Sequence, residues 1–295
     1  MKHSFAVIIW LVGLFLLSQF VGLFVLREYV DYPKTVQTGE LSWKALPSIA
    51  GVSIERPQIN ASISFVWIFA AVIVGTLLFL LLMSFRSFLL WKLWYLLAVT
   101  TTLAIAFGAF LPPTAASAIA IIFALLKVFK PNLFIHNATE LFIYPGLAAI
   151  FVPIINLFAM FVILLLISAY DAYAVWKSRH MIRMAKWQAK AGIFAGLLIP
   201  HSLPKPAPKG LRFRKVRIKA AILGGGDIGF PLLFAGVAMK SLGFLPTLVI
   251  PIFVAASLLL LLIFGKKETF YPAMPFLSIG CVVGYLVALL FSTLL

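Results

Sequence analysis

The chain has 295 residues, of which 63% are hydrophobic and 11% charged, and its mean hydropathy is +1.12. A soluble domain sits nearer half apolar and a quarter charged, so a water-soluble globular protein is excluded and an all-α polytopic membrane protein is expected. The formal net charge of +16 would suggest a nucleic-acid partner in a soluble protein, but here the charge gathers in short loops between apolar runs, and no nucleic acid is expected.

The first apolar run, residues 5–26, is too long for a signal-peptide core and lacks a small-x-small cleavage site, so it reads as a retained membrane anchor. A polar stretch, 27–62, follows. Runs at 63–85 and 93–111 are each long enough to cross. The next, 114–130, is shorter and ends in Lys127 and Lys130, whose side chains are expected to snorkel to the interface. Residues 133–176 have room for two spans, with Asn137-Ala-Thr-Glu140 as a capping box that opens a helix and Pro153–Asn156 as the turn between them. Residues 177–218 form a basic loop. Arg183, Lys186 and Lys190 share a helical face there beside Ile182, Ala189 and Ile193, which predicts a short interfacial amphipathic helix. The "LPKPAPKG" stretch at 203–210 reads as a connector. Three further spans are predicted at 219–240, 244–264 and 270–294. The chain thus divides into a membrane part at 1–176, the basic loop at 177–218 and a second membrane part at 219–295.

Short loops rich in Lys and Arg face the cytoplasm. Arg86 and Lys92, Lys127 and Lys130, Lys266 and Lys267, and the twelve Lys and Arg between Lys177 and Lys219 must therefore share a side. The 27–62 segment balances Arg27, Lys34, Lys44 and Arg56 against Glu28, Asp31, Glu40 and Glu55. Nine spans satisfy this constraint, with the N-terminus cytoplasmic and the C-terminus extracytoplasmic. The basic loop would also meet anionic membrane lipids.

Of eight acidic residues, only Asp171 and Asp227 are expected well inside apolar spans. Glu140 is read as a helix-start residue suited to the dipole. An ionisable group at membrane depth is a functional candidate by default. Asp171 precedes Lys177 by 6 residues and Asp227 follows Lys219 by 8, which on continuous helices is ~9 Å and ~12 Å of rise. The sixth and seventh spans are sequential and antiparallel, so the two carboxylates are predicted at one depth on neighbouring helices. Gly224, Gly225 and Gly226 remove side chains just before Asp227, allowing another backbone to approach. Pro272 and Pro275, in "YPAMP", interrupt backbone hydrogen bonding at the same depth on the ninth span. Paired carboxylates share one proton, so one can activate water while the other protonates an oxyanion. The four histidines, His3, His136, His180 and His201, show no ligand spacing, so neither a metal nor another cofactor is expected. The lone Cys281 reads as a small core side chain.

Tyr170-Asp171, Gly224-Gly225-Gly226-Asp227 and Pro272-Ala273-Met274 resemble the YD, GxGD and PAL motifs of the presenilin and signal-peptide-peptidase family of intramembrane aspartyl proteases. The resemblance covers the whole chain and is closest to an archaeal presenilin homologue, which implies the cell membrane of a prokaryote. Met274 stands where the family has Leu. The resemblance implies that Asp171 and Asp227 are catalytic, that Pro272, Ala273 and Met274 shape the site, and that substrates are transmembrane helices; Pro275 joins the candidate site by its placement. Tyr170 is either core or an orienting group for Asp171. The competing reading is a proton- or cation-coupled transporter or channel that uses the two aspartates.

Overall fold

The computed structural model describes residues 4–39, 41–49, 51–85, 87–178, 180–200, 220–265 and 271–293. It is predominantly helical. The helices are α1 (Phe5–Glu28), α2 (Tyr32–Thr38), α3 (Ser64–Ser84), α4 (Phe88–Gly108), α5 (Pro113–Phe129), α6 (Leu133–Phe151), α7 (Leu157–Ala172), α8 (His180–Ala191), α9 (Gly225–Leu242), α10 (Phe244–Thr247), α11 (Val249–Phe264) and α12 (Met274–Ser292). Among the described residues, seven helical segments are long and apolar enough to cross a membrane, and α5 is a shorter apolar helix. Large apolar side chains such as Trp10, Leu77, Leu165, Ile279 and Leu290 are exposed, as a bilayer-facing surface requires and a water-facing one forbids.

Helix α9 is the centre of the bundle. Ile228, Gly229 and every residue from Pro231 to Met239 are buried, and α1, α6, α7, α11 and α12 all pack on it. A helix enclosed on every side can afford glycines and a carboxylate that lipid contact would penalise. Helices α7, α9 and α12 also pack on one another, so the elements bearing the three candidate motifs are mutual neighbours. Phe15, Leu23, Met160, Ile163 and Phe234 fill the common core without exposed area.

Four expectations are corrected here. The fold is not purely helical: β1 (Gly196–Pro200) and β2 (Ala220–Gly224) form an antiparallel pair with Gly196 opposite Gly224. The helix expected over 219–240 therefore starts at Gly225, because pairing with β1 holds 220–224 extended. Short apolar runs such as "GLLIP" and "AAILG" are ambiguous between strand and helix by periodicity.

The second correction concerns α6 and the third Lys127 on α5. The start of α6 is not Asn137: the Asn132 side chain caps the helix by accepting the Phe134 N–H, which leaves Asn137 and Glu140 in mid-helix. Lys127 does not snorkel. Its ammonium meets Glu140 Oε1 at 2.8 Å, with both side chains 1% exposed. A buried partner outcompetes the interface for that charge. The fourth concerns the last span: 271–273 is non-helical and α12 opens at Met274, not 270. The turn at 153–156 lies between α6 and α7 as expected, with Asn156 capping α7. The connector at 203–210 lies outside the described residues.

Helices α4 and α6 cross at Gly146. A Cβ there would lie 1.9 Å from the Thr102 carbonyl oxygen, and backbone cannot yield as a side-chain tip does. Gly146→Ala is expected to cost at least about 1–3 kcal/mol, read as a lower melting temperature in detergent.

Candidate active site

Asp171 occupies the last turn of α7, just before the helix widens into a π-turn at Tyr173–Lys177. It is 4% exposed. Its Oδ2 accepts the Met274 N–H at 3.0 Å, with the Ala273 main chain alongside. That amide is available because the first N–H groups of a helix have no partner within it. The Pro-Ala-Met segment thus aims the start of α12 at the carboxylate, where the helix dipole favours negative charge. Pro275, in the first turn, forfeits no hydrogen bond there. Pro272 and Met274 are buried, and Ala273 is partly so.

Asp227 is the third residue of α9, with Gly224 as its N-cap. A carboxylate at this position reaches back to the N-cap main chain, and Asp227 interacts with the Gly224 backbone in this way. A Cβ on Gly224 would sit 3.3 Å from Asp227 Oδ2. Strand β2 leads directly into this turn, so Asp227 is reached by extended chain plus the first turn of α9 rather than by two turns of helix. The glycines admit the Ala195 main chain and, beyond the expectation, the Tyr144 side chain. A Cβ on Gly225 would meet the Tyr144 ring at 3.0–3.1 Å, and Gly225 N–H bonds Ala195 O at 3.2 Å. Gly226 leaves open space apart from Phe230 at 3.8 Å.

Asp171 and Asp227 line a single cavity of about 430 Å³, together with Gly224, Gly225, Gly226, Tyr271 and Ala273. Helix α8 contributes Met181, Met184 and Lys186 to its lining. Two carboxylates in one pocket, each facing a helix N-terminus, can share a proton and polarise a water between them.

Tyr170 does not touch Asp171 through its hydroxyl. That group donates to Thr76 Oγ1 on α3 at 3.0 Å and lies 2.9 Å from His180 Nε2 on α8. His180 in turn meets Ser178 Oγ through Nδ1 at 2.5 Å. Tyr170 thus ties α7 to α3 and α8. Sequence reading missed His180 because a lone histidine in a basic segment carries no spacing signal. Burial, and then the Arg183 charge, hold the His180 imidazole below the ordinary histidine range. The fold therefore favours its neutral form and the unfolded chain binds the proton more readily. This contribution is complete above about pH 6.5 and is lost as pH falls through the lower folded value. His180→Gln is expected to flatten the acid side of the melting-temperature profile below about pH 6.5, measured by thermal unfolding in detergent.

Residues 41–294 match the family described as signal-peptide peptidase, presenilin aspartyl protease. The chain belongs to this family. Two solved structures, each of a presenilin family intramembrane aspartate protease, share the fold. For the one in space group C222, identity is 18% and TM-score 0.61, with 96% of this chain and 99% of that one covered. For the one in space group P2, identity is 20% and TM-score 0.60, with 95% and 96% covered. A search of the curated proteins gives no match. With its apolar helices, this presenilin-family chain is an integral, multi-pass membrane protein.

Proposed function

We propose that the protein is an intramembrane aspartyl endopeptidase that hydrolyses peptide bonds within transmembrane helices. One observation carries the reading: Asp171 and Asp227, from different helices, line the same cavity as the glycine turn and the Pro-Ala segment. The ionised carboxylate takes a proton from water as the water oxygen attacks the scissile carbonyl carbon. The protonated partner donates to the oxyanion that forms. Collapse of the tetrahedral intermediate breaks the C–N bond: the departing nitrogen takes the proton that the first carboxylate removed from water, and a hydroxyl of the intermediate returns its proton to the second. No metal or other cofactor enters this chemistry.

The same reading assigns nine crossings, α1, α3 to α7, α9, α11 and α12, with the N-terminus cytoplasmic and the C-terminus outside. Placement of the basic segments supports that orientation. It puts α8 at the cytoplasmic face, where exposed Met181, Arg183 and Lys186 suit an anionic lipid surface.

The test uses purified protein in detergent with a labelled single-span peptide carrying helix-breaking residues near its centre. Wild type and Asp227→Ala are compared by mass spectrometry. Fragments from wild type alone support the protease and locate the cut. Absence of cleavage across several peptides from pH 5 to 8 overturns it, and ion flux in liposomes would then test the two aspartates as a transport site.

A further inference from the structure

Helix α6 carries a buried polar cluster that the proposed chemistry does not use. The Lys127 ammonium has three N–H donors, and four acceptors surround it: Glu140 Oε1 at 2.8 Å, Thr139 Oγ1 at 2.9 Å, His136 O at 3.1 Å and, farther off, His136 Nδ1 at 3.4 Å. Glu140 Oε1 also takes the Tyr95 hydroxyl at 3.3 Å, and Tyr144 donates to Oε2. Both carboxylate oxygens are therefore engaged. Removing two charges from water makes such a pair a poor source of stability, and its attested use is to fix one geometry.

The cluster reaches the glycine turn by two routes. Directly, the Tyr144 ring lies across the first turn of α9. A Cβ at Gly225 would be 3.1 Å from Cε1 and one at Gly229 3.7 Å from Cδ1, and the phenol is near enough to Asp227 to interact electrostatically. Indirectly, the same helix holds β1. His136 Nε2 meets Gly196 O at 2.7 Å, while Asn137 donates to Leu198 O at 2.8 Å and accepts Leu198 N–H at 3.0 Å. Ala195, the residue just before β1, then takes the Gly225 N–H on its carbonyl oxygen at 3.2 Å.

We propose that Lys127, Glu140 and Tyr144 are positioning residues that, with the β1–β2 pair, hold the glycine turn so that Asp227 faces Asp171. This rests on the protease reading for its meaning, but the contacts can be tested without it. Tyr144→Phe keeps the ring on Gly225 and Gly229 and removes the hydroxyl, with its bond to Glu140 and its interaction with Asp227. It is expected to leave the melting temperature within a few degrees and KM within about twofold, while kcat falls about 10- to 100-fold. In parallel, the backbone amides of residues 224–227 are expected to exchange with deuterium at least about tenfold faster. A role in stability alone would move the melting temperature and leave kcat per folded molecule unchanged. Wild-type kcat together with wild-type exchange in Tyr144→Phe overturns the proposal. If wild type itself cleaves nothing, the protease reading fails on that result, and the exchange comparison still decides the positioning role: faster exchange supports it and unchanged exchange refutes it. Should Tyr144→Phe not fold, Asn137→Ala unpins β1 at Leu198 without touching the ion pair. Faster exchange at 224–227 is then the supporting result, and unchanged exchange the opposing one.

Discussion

Asp171→Asn and Asp227→Asn are each expected to lower cleavage of a transmembrane peptide by at least about 10³-fold. Asparagine preserves the size of the side chain and can still accept the Met274 N–H that meets Asp171 at 3.0 Å. What it loses is the exchangeable proton. The pair needs one member to take a proton from water and the other to give one to the oxyanion, and neither single variant can do both. The double variant is expected to be little worse than either single one, because the two residues act as a unit. Folding is expected to survive, since an amide is easier to keep in a largely apolar cavity than a second ionisable carboxyl. Initial rates by mass spectrometry, with melting temperature in parallel, check both halves. Retained cleavage in either single variant would remove the dyad as the mechanism. Wild-type activity is expected to follow a bell-shaped pH profile belonging to the pair rather than to one aspartate.

Lys127→Met is expected to be the most destabilising single change in the α5–α6 region, at about 3–5 kcal/mol. Methionine fills much of the lysine's volume, so packing loss is minor. The cost comes from Glu140, which is 1% exposed and would keep its tyrosine donors but lose its only counter-charge within salt-bridge range among the described residues. The double variant Lys127→Met/Glu140→Gln removes both charges and is expected to recover most of the loss, giving a large coupling energy in a double-mutant cycle. Equilibrium unfolding in mixed micelles measures all three variants. A cost for Lys127→Met below about 1 kcal/mol would place the pair with solvated surface bridges instead.

These two expectations differ in how far the sequence foretells them. Asp171 and Asp227 stand out because an acidic residue in an apolar run is rare and expensive, and because each lies beside a residue set, Tyr-Asp or Gly-Gly-Gly-Asp, that a span would not otherwise carry. Glu140 is equally deep, yet Asn137-Ala-Thr-Glu140 imitates a capping box. The imitation is broken only by Asn132, which caps the helix five residues earlier. Lys127 has the same ambiguity, since a lysine near the end of an apolar run satisfies the snorkelling rule until a buried carboxylate is found beside it. Strand β2 was hidden by its own apolarity: five small and aliphatic residues before Gly225 suit a helix or a strand, and pairing with β1 across the basic segment makes the choice.

By itself the sequence determined that the chain lives in a membrane, roughly where its helices run, and which two carboxylates are candidates for chemistry. Those features follow from local hydropathy and from the cost of charge in hydrocarbon, and both are read residue by residue. Tertiary structure alone decided how the candidates are held: Asp227 at the head of a helix fed by a strand, Asp171 against the first amide of α12, and Tyr144 braced on Glu140 across the glycine turn. The Asp171–Met274 and Tyr144–Gly225 contacts join residues more than 80 positions apart along the chain, and the strand depends on a pairing partner that local pattern cannot name. Where competing local states lie within a kilocalorie or so of one another, the long-range contact selects among them.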